Sequence, residues 1–248
     1  METLTAEIKQ KREFNDLPDS FVRNILQNYL KKQKILIPQD KKSRKLLVKI
    51  IRAELRRSAG QYLGNSINTD SVKDLLKSHV STSERLNEYE YIKSIIKHLN
   101  PGSILDLGCG LNPIAIAKPN VKYYAYDIKA EYLTLVNEHF KKNKIHGEVH
   151  HEDINQVSHF PKTDLCLMLK LLDILGKNKK ETARNLLNKI DSKSFIVSFA
   201  TKTLSGKQMS RPYRRWFENL LKEKGLEYKI HRTNNEMFYI ITKYSKSN

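Results

Sequence analysis

The chain reads as an α/β protein: a mostly parallel sheet closed by an antiparallel hairpin, preceded by a small helical domain. Three observations predict this. From residue 84 onward, short apolar strand patterns alternate with helical ones, and parallel neighbours need such crossovers. The last two strand patterns are separated only by Arg232-Thr233-Asn234-Asn235, a hairpin-length loop. Residues 1 to about 78 carry helical periodicity and no convincing strand.

Taken in order, residues 16–30 form an amphipathic pattern with Leu17, Phe21, Ile25 and Leu26 on one face. Residues 31–40 are a basic connector containing Pro38. Residues 42–59 give the clearest helix, with Leu46, Leu47, Ile50, Ile51 and Leu55 at helical spacing, ended by Gly60 and Gly64. Residues 73–79 read as one more helical turn. Residues 84–99 form a helix capped by Ser83 or Thr82 and stopped by Asn100-Pro101-Gly102. Strands follow at 103–107, 122–127, 147–151, 164–169, 194–199, 226–231 and 236–243. Helices fall at 129–141, 179–190 and 210–224. The expected domains are 1–78, helical and basic, and 79–248, the sheet.

The first strand ends in a run that carries chemistry: Leu105-Asp106-Leu107-Gly108-Cys109-Gly110-Leu111-Asn112-Pro113. Gly108 and Gly110 let the backbone turn sharply and approach a ligand, because no Cβ intrudes. The second strand closes on Asp127, where a carboxylate can accept both hydrogen bonds of a ribose diol. Pro113 stands where a dinucleotide fingerprint has its third glycine, which argues against a pyrophosphate on a helix N-terminus. The pattern suits S-adenosylmethionine, which has an adenosine and an amino-acid end but no phosphates.

Composition narrows the partner. Lys and Arg number 45 against 27 Asp and Glu, a formal net charge of +18. Such a chain is drawn to phosphate backbones. Between Lys31 and Arg57 the bias is almost all of one sign. Lys45, Lys49, Arg52 and Arg56 fall on one helix face opposite the leucines and isoleucines, with Lys41 and Lys42 at its start. Lysines and arginines on a rigid helix suit A-form RNA, which is read by shape and phosphate position. The longest apolar run, Leu165 to Leu175, is interrupted by Lys170 and Asp173 and is too short to span a bilayer. The N-terminus shows no charged-then-apolar signal pattern. With two cysteines, Cys109 and Cys166, no disulfide framework is expected. A reducing cytoplasm and a monomer are the expectations, with no membrane partner.

Several ordered segments resemble one family, the aminoglycoside-resistance 16S ribosomal RNA (guanine-N7) methyltransferases. They are His79-Val80-Ser81-Thr82-Ser83-Glu84-Arg85-Leu86, the glycine loop ending in Gly110-Leu111-Asn112-Pro113, Tyr126-Asp127-Ile128, Glu152-Asp153-Ile154 and Leu169-Lys170-Leu171-Leu172. The likeness continues through Val197-Ser198-Phe199-Ala200-Thr201-Lys202-Thr203-Leu204, Arg214-Arg215-Trp216-Phe217-Glu218 and Glu236-Met237-Phe238-Tyr239-Ile240. It implies a Rossmann-like class I S-adenosylmethionine-dependent fold, with the helical region docking RNA. It implies that Gly108, Cys109 and Gly110 line the methionine and ribose of the cofactor. Asp127, with Ile128 beside it, would hold the ribose. Asp153 would accept from the adenine amino group, with the Ile154 backbone N–H facing the ring. Arg85 would pair with the cofactor carboxylate, near His79 and Ser81. Lys202 and Lys207, after the fifth strand, would touch RNA. The partner implied is the small ribosomal subunit or its rRNA.

The chain departs from that pattern at Ser83, where the family usually has arginine. The loop after the fifth strand is shortened to residues 204–210. Other readings stay open at this level: a methyltransferase of tRNA or another structured RNA, and a non-catalytic RNA-binding ribosome-assembly factor.

Guanine N7 already offers a lone pair, so its methylation calls for positioning rather than a strong base. The chain fits this, since no Asp/Asn-Pro-Pro-aromatic run follows the fourth strand and neither cysteine has the loop context of a covalent cytosine mechanism. Lys170, at a strand end, either snorkels to solvent or brings a cation to the target base or its phosphate. Tyr123, Tyr124, Tyr126 and Trp216 are expected in the core. His146, His150 and His151 invite a metal reading, but strand alternation separates them and no metal is expected.

Overall fold

A computed structural model of the chain describes residues 1–59, 76, 85–175, 178–203, 206–210 and 212–243. His79, Ser81 and the expected cap residues Thr82 and Ser83 lie outside these.

The seven expected strands are all present: β1 (Ser103–Leu107), β2 (Lys122–Asp127), β3 (Gly147–His151), β4 (Thr163–Leu169), β5 (Ser192–Ala200), β6 (Glu227–Arg232) and β7 (Glu236–Thr242). They form one sheet in the order β3-β2-β1-β4-β5-β7-β6. The first five run parallel, while β7 is antiparallel to both β5 and β6. The direction of winding reverses between β1 and β4, so their following loops part and leave a crevice at the strand C-termini.

Among the described residues there are eight α-helices and one short 3-10 helix (Arg12–Phe14): α1 (Glu2–Lys9), α2 (Asp19–Gln33), α3 (Lys41–Ala59), α4 (Tyr89–Leu99), α5 (Asn112–Ile116), α6 (Ala130–Lys142), α7 (Lys179–Lys189) and α8 (Arg215–Glu223). α2 begins three residues later than its apolar pattern, directly after Pro18, whose ring fixes an extended entry. α4 begins at Tyr89 rather than at residue 84. The turn before it is closed by the Glu88 and Tyr89 amides, which donate to the Arg85 carbonyl. Asn100, left-handed at φ 45°, ends α4 as expected. α8 starts at Arg215, five residues inside its expected bound.

Three buried clusters hold the molecule. Alternate strand residues point to opposite faces. Ile104, Tyr123, Leu165, Leu167 and Ile196 pack under α4, α5 and α6. Leu105, Leu107, Cys166, Met168 and Val197 pack under α7 and α8. The third cluster joins α1, α2 and α3 through Leu4, Ile8, Phe14, Leu26, Ile51 and Leu55. The expected boundary at 78/79 falls where only Leu76 is described, and Leu76 packs into the first sheet cluster. Tyr123 and Tyr126 are buried as expected, while Tyr124 and Trp216 pack partly buried against the second cluster.

Candidate active site

The loops after β1, β2, β3 and β4 line a cavity of about 680 Å³, a size ordinary for a small-molecule site. The strands fix where each loop starts, so residues distant in sequence meet at one sheet edge.

Gly108 opens the first loop with φ +62°, and a Cβ there would lie 2.8 Å from Leu171 Cδ1. The left-handed φ is what calls for glycine, and any larger residue would also have to push the Leu171 methyl aside. Asp127, at the end of β2, is buried, and burial pushes its carboxyl up against the pull of neighbouring amides. The Gly110 amide donates to Oδ2 at 2.8 Å and the Lys129 amide to Oδ1 at 2.9 Å. Asp153, after β3, has Oδ1 held by the Asn155 amide at 3.0 Å and by Asn155 Nδ2 at 2.9 Å. Gly108, Cys109, Gly110, Asp127, Ile128, Asp153 and Ile154 all line the cavity. So do Arg85 and Lys170.

Arg85 is 1% exposed. Its Nε donates to Glu236 Oε1 at 2.7 Å, its Nη2 to Oε2 at 3.3 Å, and its Nη1 to Asn112 Oδ1 at 2.7 Å. Asn112 Oδ1 also accepts from Tyr89 Oη at 2.9 Å. Arg85 therefore has a protein carboxylate as a partner while it lines the cavity. Of the two readings open for Lys170, burial removes the one in which it snorkels to solvent. It is 8% exposed, its backbone is left-handed at φ 55°, and its Nζ lies 3.6 Å from Glu236 Oε1. Ser198 Oγ donates to Glu236 Oε2 at 2.6 Å. Burial pushes the Glu236 carboxyl up, but Arg85 and Lys170 outweigh this and hold it below the usual range. Two cations face one carboxylate, so the cluster carries one positive charge at the cavity wall.

Sequence reasoning missed Glu236 as a site residue. Its signal was an acid opening an otherwise apolar strand. It also missed the wall that α2 contributes through Phe21, Asn24, Ile25 and Asn28. Phe21 and Ile25 read only as part of an apolar helix face, and nothing local marked Asn24 or Asn28, because the residues they meet across the cavity are distant in sequence, Asp153 by 129 residues from Asn24.

Within β1, Asp106 is fully buried, accepts from Tyr123 Oη at 2.8 Å and is pushed by burial up to about 7. Cys109 and Cys166 are free and buried, and burial pushes both thiols well up, which keeps them from acting as nucleophiles. His150 stacks on Tyr126 with ring centroids 4.2 Å apart. Among the described residues, no three potential ligands converge on a metal site.

The basic stripe divides in two. Lys41, Lys42, Lys45 and Lys49 are exposed. Arg52 instead donates to the Glu7 carbonyl at 2.7 Å and the Ile8 carbonyl at 3.0 Å, at the end of α1. Arg56 pairs with Glu13 at 2.5 Å and lies over Phe14. These two arginines brace the helical bundle, and Arg56 keeps 43% of its side chain exposed while doing so. Lys207 is exposed and Lys202 is partly buried, bridged to Gln208.

The family model described as ribosomal RNA methyltransferase (FmrO) matches residues 45–240. A Serratia marcescens protein named 16S rRNA (guanine(1405)-N(7))-methyltransferase is 28% identical over 215 residues, 82% of this chain and 85% of its own. One of the same name from Micromonospora echinospora is 28% identical over 181 residues, 70% of this chain and 66% of its own. Among solved structures, the 16S rRNA methylase RmtB superposes with a TM-score of 0.78 at 24% identity, covering 98% of both chains. RmtF in complex with S-adenosyl-L-homocysteine gives 0.80 at 22%, again over 98% of both.

Proposed function

The chain belongs to the FmrO family of ribosomal RNA methyltransferases, and from that premise we propose that it methylates N7 of a guanine in 16S rRNA, with S-adenosylmethionine as donor. The observation that carries this is the cavity at the sheet's switch point, where Gly108, Asp127, Asp153 and the Arg85–Lys170–Glu236 cluster meet.

The residues present fit that donor. Asp153 would accept from the adenine amino group, and the Ile154 amide would face the ring. Asp127 would accept from the ribose hydroxyls through the lone pairs its two amide partners leave unused. Gly108 and Gly110 would let backbone approach the chain joining ribose to sulfur. The single net positive charge of Arg85, Lys170 and Glu236 would hold the amino-acid carboxylate. When bound, the donor supplies an electrophilic methyl on a sulfonium.

Guanine N7 presents its lone pair without losing a proton, so no side chain acts as base. What the chain contributes is alignment and exclusion of water. The exposed lysines 41, 42, 45 and 49 on α3, within the docking domain we assign to residues 1–78, with Lys202 and Lys207, would seat the phosphate backbone of the small subunit's RNA. An rRNA substrate and two free cysteines support a cytoplasmic setting, and the enzyme is proposed to act as a monomer. No described helix is long and apolar enough to cross a membrane.

The test is to incubate the protein with donor and small ribosomal subunits, then cleave chemically at N7-methylated guanine. One new cleavage in 16S rRNA is expected. Methyl transfer to tRNA alone would overturn the substrate assignment.

A further inference from the structure

Helix α2 presents two faces. Val22, Leu26 and Leu30 are buried in the bundle's own core. Phe21, Asn24, Ile25 and Asn28 recur at the spacing of a second helix face, and that face lines the cavity. Asn24 Nδ2 donates to Asp153 Oδ2 at 3.4 Å. Asn155 already holds the other oxygen, so the carboxylate is gripped from both sides.

A second tether stands beside Asp127. Lys129, whose amide donates to Asp127, sends its Nζ to Asp16 at 2.8 Å, and both side chains are largely buried. Ile128 packs against the bundle core. The bundle thus touches both loops whose acids face the cavity.

We propose that α2 is a wall of the cofactor site and that Asn24 is a positioning residue, aiming the Asp153 carboxylate at the exocyclic amino group of adenine. The inference rests on the cofactor reading above. A carboxylate aimed by two amides accepts from an amino group and repels a carbonyl in the same place. The site therefore separates an adenine from a hypoxanthine base, and the separation depends on Asn24. Filling the cavity adds contacts to α2, so its amides open less often.

The full chain and its Asn24→Ala variant are titrated calorimetrically with S-adenosylhomocysteine and S-inosylhomocysteine, and hydrogen exchange over residues 19–33 is followed with and without the adenosyl ligand. The wild type should prefer the adenosyl ligand. Asn24→Ala should bind it about five- to tenfold more weakly, with inosyl binding nearly unchanged, so the ratio narrows. Exchange in α2 should slow on binding. An unchanged ratio in the variant, or α2 exchange indifferent to ligand, overturns the proposal while leaving the cofactor reading intact. A wild type that binds neither ligand overturns the cofactor reading and this proposal together. Should Asn24→Ala not fold, Asn24→Asp serves: a like charge beside Asp153 should cost more adenosyl affinity than inosyl, and equal losses overturn the proposal.

Discussion

Asp106 shows what one buried carboxyl does to a stability curve. In the folded chain it ionises only near 7, against an ordinary value of 3.8. The unfolded chain sheds that proton near the ordinary value. The group's favourable contribution is therefore complete below about pH 4 and is lost as pH climbs towards 7. Asp106→Asn keeps the shape and removes the titration, so its Tm should vary less with pH between 4 and 7 than the wild type's. Parallel thermal scans across that window check this. Glu236 poses the opposite case, a carboxylate that two cations require. Glu236→Gln leaves Arg85 and Lys170 buried together without their counter-charge and should destabilise the fold by about 3 kcal/mol, read by denaturant unfolding. Glu236 and Arg85 lie 151 residues apart, and such a pair leaves no trace in local pattern. That is why the glycine loop and Asp127 were legible in the sequence while Glu236, Asn24 and Asp16 were not.

Elements were legible where period and composition agreed. All seven strands were, because apolar runs between turn residues leave little else to form. Two helices were not. α1 has only two turns, with Leu4 and Ile8 as its apolar face, too short for a period to emerge. α5 opens at Asn112-Pro113, a dipeptide that reads as loop although proline is well suited to a helix's first turn. The loop from β1 to α5 carries two left-handed glycines, Gly108 and Gly110. Gly108→Ala meets a left-handed φ and a methyl of Leu171 at once. It should lose about 1–2 kcal/mol of stability and weaken donor binding. Adding Leu171→Ala should relieve only the steric share, so donor affinity should stay below wild type. Calorimetry on both variants separates the two contributions.

For the molecule as a whole, charge and cofactor site are separable. None of the four exposed lysines 41, 42, 45 and 49 lines the cofactor cavity, and three of them, Lys41, Lys45 and Lys49, line a separate groove with Glu7 and Gln10 of the first helix region. Replacing all four with glutamine should flatten the salt dependence of rRNA binding, lowering the slope of log K against log salt by about 3, with donor affinity unchanged. Filter binding over a salt series measures the slope. The two thiols offer another handle on the whole fold. Cys109 sits in the first sheet cluster and Cys166 in the second, on opposite faces of the same sheet, and both are sealed from solvent. A disulfide reagent in the bulk can reach neither until the protein breathes. Labelling should therefore proceed in two phases, a faster one at Cys109, whose loop borders the cavity, and a slower one at Cys166. A saturating donor should retard the first far more than the second, which turns a pair of unreactive sulfur atoms into clocks for two different openings.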